Sequence, residues 1–304
     1  MTLPPQQPPQ QYPPQQPYPP QYPQQAYPPQ YPQQYPPPPP RKGMSTGLIV
    51  LLAVGIPLVL IGLITGGSIG ALNAFRGDPV SDTLDVDAAS SLLVDAPNAS
   101  IHLSDSDDNE IHATMRGDYS GARPTLTATE SGRETEIRGG CPGGWFLFNR
   151  CRVRIEVALP ADLDVTVSGR NGAITAEELT GELTLSTTNG SIEVDRSVGA
   201  LVLRSTNGRI ELEDSASTEV RAQTTNGAVQ LSFAEAPDEV TANSTNGAIH
   251  IEVPDDGTEY FIDANTTNGR VDTEDVPGDR RATRTITAGT TNGGITIETS
   301  SRSR

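Results

Sequence analysis

LTLSTTNGSIEV, residues 183–194, decides the fold, because the same phrase returns along the second half of the chain. LVLRSTNGRIEL repeats it at 201–212. Asn-Gly stands at 171–172, 189–190, 207–208, 226–227, 246–247, 268–269 and 292–293, at spacings of 18, 18, 19, 20, 22 and 24 residues. Self-similarity at such a period marks a stacked architecture built from one repeated unit. Six and four residues before each Asn stand Val165 and Val167, Leu183 and Leu185, Leu201 and Leu203, Val220 and Ala222, Val240 and Ala242, Ile262 and Ala264, Ile286 and Ala288. Three and five residues after it stand Ile174 and Ala176, Ile192 and Val194, Ile210 and Leu212, Val229 and Leu231, Ile249 and Ile251, Val271 and Thr273, Ile295 and Ile297. Twenty-seven of these 28 slots are apolar, and alternation on both sides of a turn means strands with one buried face. Ser or Thr stands two before the Asn, and Thr one before it, in six of the seven copies.

Two folds satisfy this pattern. Asn-Gly favours a two-residue hairpin, which would give an antiparallel meander. Alternatively each repeat is one coil of a β-solenoid, with copies stacked in register about 4.8 Å apart. The constancy of Thr-Asn-Gly favours the solenoid, since a meander has no use for it. In stacked coils Asn171, Asn189, Asn207, Asn226, Asn246, Asn268 and Asn292 can hydrogen-bond as a ladder, and the Gly can take a positive φ at the corner. Growth of the repeat then falls in loops on the opposite side, at 234–237, 255–258 and 277–281.

The stretch 81–159 reads as the same solenoid with degenerate rungs. Leu84 and Val86, Leu92 and Val94, Ile101 and Leu103, and Ile111 and Ala113 alternate in the same way, with acidic turns in place of Asn-Gly. The organised domain is set at 90–304 behind a linker, 76–89. Its last strand, 295–299, is followed by Ser-Ser-Arg-Ser-Arg, which blunts the edge of the stack.

The Thr-Thr-Asn-Gly-x-Ile pattern and the Val-x-Leu-Pro-x-x-Leu-x-Val run from Val157 to Val165 resemble a bacterial adhesin-like domain of unknown function, a family of β-strand repeats. The resemblance covers residues 90–299. It implies an all-β repeat fold and a role in adhesion or binding, and attaches no catalytic residue to any position.

Ahead of the repeats the chain changes character. Residues 1–40 hold 18 of the 27 prolines, in variants of Tyr-Pro-Pro-Gln, and carry no charge. Such a segment buries too little apolar surface to offset chain entropy, so residues 1–42 are expected to be a disordered tail of polyproline II character. It is either a solvated spacer or a docking tail for a cytoplasmic partner. Residues 43–75 then run 33 positions without a charge, and about 20 apolar residues cross a bilayer as a helix.

Arg41 and Lys42 precede that segment and acids dominate after Arg76. Basic flanks stay inside, which predicts a single-pass cell-membrane protein with a cytoplasmic N-terminus and an extracytoplasmic C-terminal domain. A cleaved signal peptide competes, but it would need an n-region of about 40 residues and no clean small-x-small cleavage site follows. Gly62, Gly66 and Gly70, followed by Ala74, line one face of the helix. That spacing lets two copies pack as a homodimer, although glycine is common in membrane helices.

From residue 76 onward the chain holds all 38 acids and 19 arginines, a balance of 19 minus 38, or −19. Such a domain repels nucleic acid, which is set aside as a partner. Cys141 and Cys151 are the only cysteines; both are expected outside the cell, where an even count reads as a disulfide. The bond would close a loop holding Trp145, Phe146 and Phe148, the only Trp and two of the five Phe. This loop either folds back as a plug or offers an aromatic patch to a partner, a sugar or a membrane surface.

Asp105, Asp107 and Asn109 begin like a calcium loop, but Glu110 replaces its Gly and Arg116 its final acid. A solvated acidic turn flanked by His102 and His112 is the simpler reading. No nucleotide-binding glycine loop, metal triad or serine-triad spacing is present, so neither an enzyme nor a cofactor is expected. The expected function is a cell-surface, adhesin-like binding module for an unknown surface or wall ligand. The alternative is an envelope scaffold or sensor that reports to a cytoplasmic partner through the tail. A third reading is self-assembly through the solenoid ends or the glycine face of the anchor.

Overall fold

Strands with one apolar face cannot stand alone, and here they stack into two facing sheets. The computed structural model describes residues 77–142, 150–273 and 275–300. The expected tail 1–42, the expected helix 43–75 with Gly62, Gly66 and Gly70, and the aromatic residues Trp145, Phe146 and Phe148 lie outside the described residues. Among the described residues no helix is long and apolar enough to cross a membrane.

The strands in chain order begin with β1 (Asp78–Asp87), β2 (Ser91–Ala96), β3 (Ser100–Asp105), β4 (Glu110–Ser120), β5 (Thr125–Ser131), β6 (Glu134–Gly140) and β7 (Arg150–Leu159). Then come β8 (Asp164–Gly169), β9 (Ile174–Glu177), β10 (Leu183–Thr187), β11 (Ile192–Asp195), β12 (Leu201–Ser205), β13 (Ile210–Ser215) and β14 (Glu219–Asn226). The last are β15 (Val229–Phe233), β16 (Glu239–Asn246), β17 (Ile249–Pro254), β18 (Phe261–Asn268), β19 (Val271–Asp272), β20 (Thr285–Asn292) and β21 (Ile295–Ser300).

The two strands flanking each Asn-Gly lie in different sheets, so the motif is a corner between layers and the meander is excluded. One sheet, A, runs β1-β4-β7-β3-β9-β11-β13-β15-β17-β21-β19; the other, B, runs β18-β20-β16-β14-β12-β10-β8-β2-β6-β5. From β6/β7 to β18/β19 the pairing is parallel and each rung is one strand from each sheet, nine rungs among the described residues. The alternating slots meet between the layers: Leu185, Leu203, Ile192 and Ile210 are fully buried. Eleven strands at about 4.8 Å make sheet A about 48 Å across.

The turn glycines are needed for a reason other than the expected one. None of the glycines of the Asn-Gly pairs has a positive φ. A Cβ on Gly208 would stand 1.8 Å from the carbonyl oxygen of Gly190, and one on Gly247 1.9 Å from that of Gly227. The corners therefore stack backbone on backbone, with no room for a side chain. Positive φ occurs at the other corner instead, at Glu178, Arg196 and Asp214 in the short rungs.

Three boundaries also move. The expected linker 76–89 contains β1, so the folded domain begins at Asp78. Residues 81–159 supply two true rungs, β2/β3 and β6/β7, but β1, β4 and β5 pair antiparallel and close that end of the stack. The last strand in sequence is not the last in space: β20 and β21 slide between β16/β17 and β18/β19. The edge expected at residues 295–299 is interior, and the terminal rung is β18/β19.

Candidate functional site

The Ser/Thr-Thr-Asn-Gly signature builds a continuous corner. The hydroxyl two before Asn turns inward and donates to the Gly carbonyl of the adjacent rung: Ser205 to Gly190, Thr224 to Gly208, Ser244 to Gly227, Thr290 to Gly247 and Thr266 to Gly293, each at 2.9 Å. The next Thr faces outward. The Asn side chains form the expected ladder, each amide donating to the Asn of the next rung at 2.7–2.9 Å, in the spatial order Asn268, Asn292, Asn246, Asn226, Asn207, Asn189, Asn171.

The ladder does not stop there. Asn171 donates to Asn98 at 2.7 Å, and Asn98 donates to the Cys141 carbonyl at 3.2 Å. Asn98 was missed because Ala99 stands where the Gly should be. Its frame was nonetheless visible, with Leu92 and Val94 six and four before it and Ile101 and Leu103 three and five after. Cys141 and Cys151 are bonded, with Cα atoms 5.8 Å apart. The disulfide joins the end of β6 to the start of β7, where seven other rungs carry Asn-Gly and the β2/β3 rung Asn98-Ala99, and so fixes both ends of the aromatic segment at this corner.

The two outer faces differ in charge. Sheet A carries Glu177, Asp195, Glu252 and Glu298, with Glu193 beside Glu211. Burial, and then the charges of Glu211, Asp195, Glu193 and Asp214, hold the Glu213 carboxyl above its ordinary range. Like charges facing each other across strands repel. Sheet B offers uncharged groups in register: Ser168, Ser186, Arg204, Gln223, Asn243, Gly289 and Asn265 in one row. Arg204 is the exception, and exposed Thr206, Thr225, Thr245, Thr291 and Thr267 flank the row. The missing side chain at Gly289 opens a shallow polar depression between Asn243 and Asn265.

The acidic turn and its histidines come apart. His112 lies between two carboxylates, Nδ1 at 2.8 Å from Asp85 and Nε2 at 2.9 Å from Asp108. The Asp85 and Asp108 hydrogen bonds raise its pKa to about 9. Asp108 also accepts from Ser106 and from the Glu110 N–H, and its pKa is lowered, chiefly by His112. His102, two strands away across β7, faces Glu177 at 4.0 Å. Among the described residues no group of three His, Cys, Asp or Glu is placed to hold a metal.

No curated protein matches the chain significantly. Among solved structures, a candidate adhesin from Bacteroides fragilis NCTC 9343 is similar at 13% identity and TM-score 0.46, covering 72% of this chain and 97% of that one. A candidate cell adhesion protein from Clostridium sporogenes ATCC 15579 is similar at 13% identity and TM-score 0.38, covering 73% and 100%. A candidate lipid binding protein from Parabacteroides distasonis ATCC 8503 is similar at 11% identity and TM-score 0.33, covering 74% and 98%. The rungs from β8 to β21 carry the family likeness: residues 164–302 match the family model of Toastrack DUF4097.

Proposed function

We propose that the domain is an extracytoplasmic binding module, displayed on a membrane anchor at residues 43–75, for an extended polar polymer of the cell surface or wall. The observation that carries this reading is the row of mostly uncharged polar side chains along the outer face of sheet B. Hydroxyl and amide side chains fill five of its seven positions from Ser168 to Asn265, with Arg204 and Gly289 at the other two. Such rows suit a partner that is itself repetitive and rich in hydroxyl groups, because most rungs can offer it donors and acceptors. The acidic face of sheet A disfavours anionic polymers on that side. The aromatic segment between Cys141 and Cys151 is proposed as a second contact, tethered at the corner beside the first rung.

The test is binding of the purified domain to cell-wall fractions and a glycan array, with and without calcium. Specific binding is expected. Loss on Thr225→Glu with Thr245→Glu would place the contact on sheet B, and loss on Trp145→Ala with Phe146→Ala would place it on the aromatic segment. Absence of binding under every condition would reject the module and favour the scaffold or sensor reading. In that case deletion of the tail 1–42 should abolish function.

A further inference from the structure

The two ends of the stack are finished differently. At one end β4 and β1 lie antiparallel on β7, and β5 lies antiparallel on β6. At the other end the parallel stack stops at β18/β19 with no further strand laid across it among the described residues; the segment between β19 and β20 covers only part of it, burying Val276 and pairing at Tyr260 through 277–279. The apolar slots that are 0–1% exposed in the neighbouring rung, at Ile286, Ala288, Ile295 and Ile297, are part-exposed here at Ile262 and Ala264, and Val271 is 39% exposed. Phe261 on the rim is 40% exposed. Thr273, the single polar slot among the 28, belongs to this same rung.

The backbone is open too. The Phe261 N–H donates inward to Arg284, whereas the Tyr260 N–H donates outward to Pro277. By strand alternation the N–H groups of Ile262, Ala264 and Thr266 point away from the stack. An exposed edge of this kind is a template for another strand.

We infer that this open end docks a second copy of the same chain, end to end. It rests on the reading of the domain as a displayed binding module, and adds a partner at a different surface. Three observations select a second copy. The end presents two strand edges about 10 Å apart, so an occupant that satisfies both must be a two-strand rung, and the chain's own open end is one. Rung-on-rung packing with buried apolar slots is already the interface used throughout the stack.

Charge also permits it. Residues 261–284 hold four arginines against five acids, whereas 174–215 hold three arginines against eight acids. Like ends therefore meet without the repulsion that the rest of this acidic domain would impose. A two-fold axis turns the strands antiparallel, and because the opposite ends are closed the assembly stops at a dimer. Eight residues of edge in β18 and two in β19 give roughly 330 Å² per copy, about 650 Å² in all, the size of a weak, transient pair. The association is accordingly reversible. The chain joins the stack at Gly77 beside the closed end, so the open end is the remote one, suited to contact between copies on facing surfaces.

The experiment is sedimentation of the full chain in detergent over a range of concentrations. It compares the wild type with Phe261→Lys/Val271→Lys and with Val198→Lys, a control at an exposed loop residue far from the end. The sites changed are all exposed, and unchanged unfolding temperatures verify folding. A monomer–dimer equilibrium is expected in the wild type and in Val198→Lys, with at least tenfold weaker association in the double variant. Ala264→Pro, which removes one outward N–H, should weaken it as well. A wild type that stays monomeric at its highest soluble concentration overturns the inference. So does association that the double variant leaves intact, as pairing through Gly62, Gly66 and Gly70 would. Thr225→Glu/Thr245→Glu should leave self-association unchanged, so failure of polymer binding and failure of this pairing are read separately.

Discussion

At the scale of the residue, each letter of the repeated signature has a separate task. The hydroxyl satisfies a carbonyl in the next rung, the Asn links side chains, and the Gly lets two backbones touch. The Asn role was legible because a side-chain ladder is the direct consequence of an identical residue at every corner. The Gly role was misread, since sequence does not distinguish a residue that needs positive φ from one that needs an absent Cβ. Adjacent glycines separate the two ideas. A Cβ on Gly293 would lie 2.2 Å from the Gly247 carbonyl oxygen, whereas on Gly294 the nearest atom is 3.6 Å away. Gly293→Ala should cost about 3 kcal/mol by overpacking, and Gly294→Ala less than about 1 kcal/mol, read by urea unfolding. Asn207 makes two ladder bonds and Asn268 one. Asn207→Ala should therefore cost about 2 kcal/mol and Asn268→Ala about 1 kcal/mol; equal losses would mean that the ladder contributes little.

At the scale of the element, alternation told which face of each strand is buried but not which neighbour it would choose. β4 alternates as well as β3 does, yet lies antiparallel between β7 and β1. Nothing in Ile111 and Ala113 encodes that direction; the chain after β3 must reverse, and β4 closes the stack. The acidic turn gained its meaning only from that reversal, which brings Asp85 of β1 to His112 of β4. With the folded pKa of His112 raised to about 9 and the unfolded value near 6.5, its stabilisation is complete below about pH 6.5. It is lost as pH rises through about 9. Asp108 acts oppositely: its lowered pKa gives stability that is present above the ordinary carboxylate range and lost in acid. The unfolding temperature should fall between pH 6.5 and 9, and His112→Gln should flatten that slope. An unchanged slope in the variant would remove the pairing of His112 with Asp85 and Asp108 as its cause.

At the scale of the whole molecule, the order of the rungs was the least legible property. All seven copies carry equivalent slots, so a stack in chain order was the natural expectation. What distinguishes the copies is small: Thr273 and the short β19 mark a rung with less to bury, and the 12 residues between β19 and β20 give the chain length to step back over it. The resulting order makes an asymmetric prediction about deletions. Ending the chain at Arg284 removes Ile286, Ala288, Ile295 and Ile297, all buried, and leaves β18/β19 with no rung to pair against. At about 1.5–3 kcal/mol for each large apolar side chain, the loss is several kcal/mol, and the terminal rung should detach with it. Deleting 258–281 instead removes the terminal rung and lets β17 run on to β20, whose partners β16 and β17 are untouched. Although it removes a longer segment, that internal deletion should be the more stable protein in urea. If the C-terminal truncation proves the milder of the two, the interleaved order of the last two rungs is wrong.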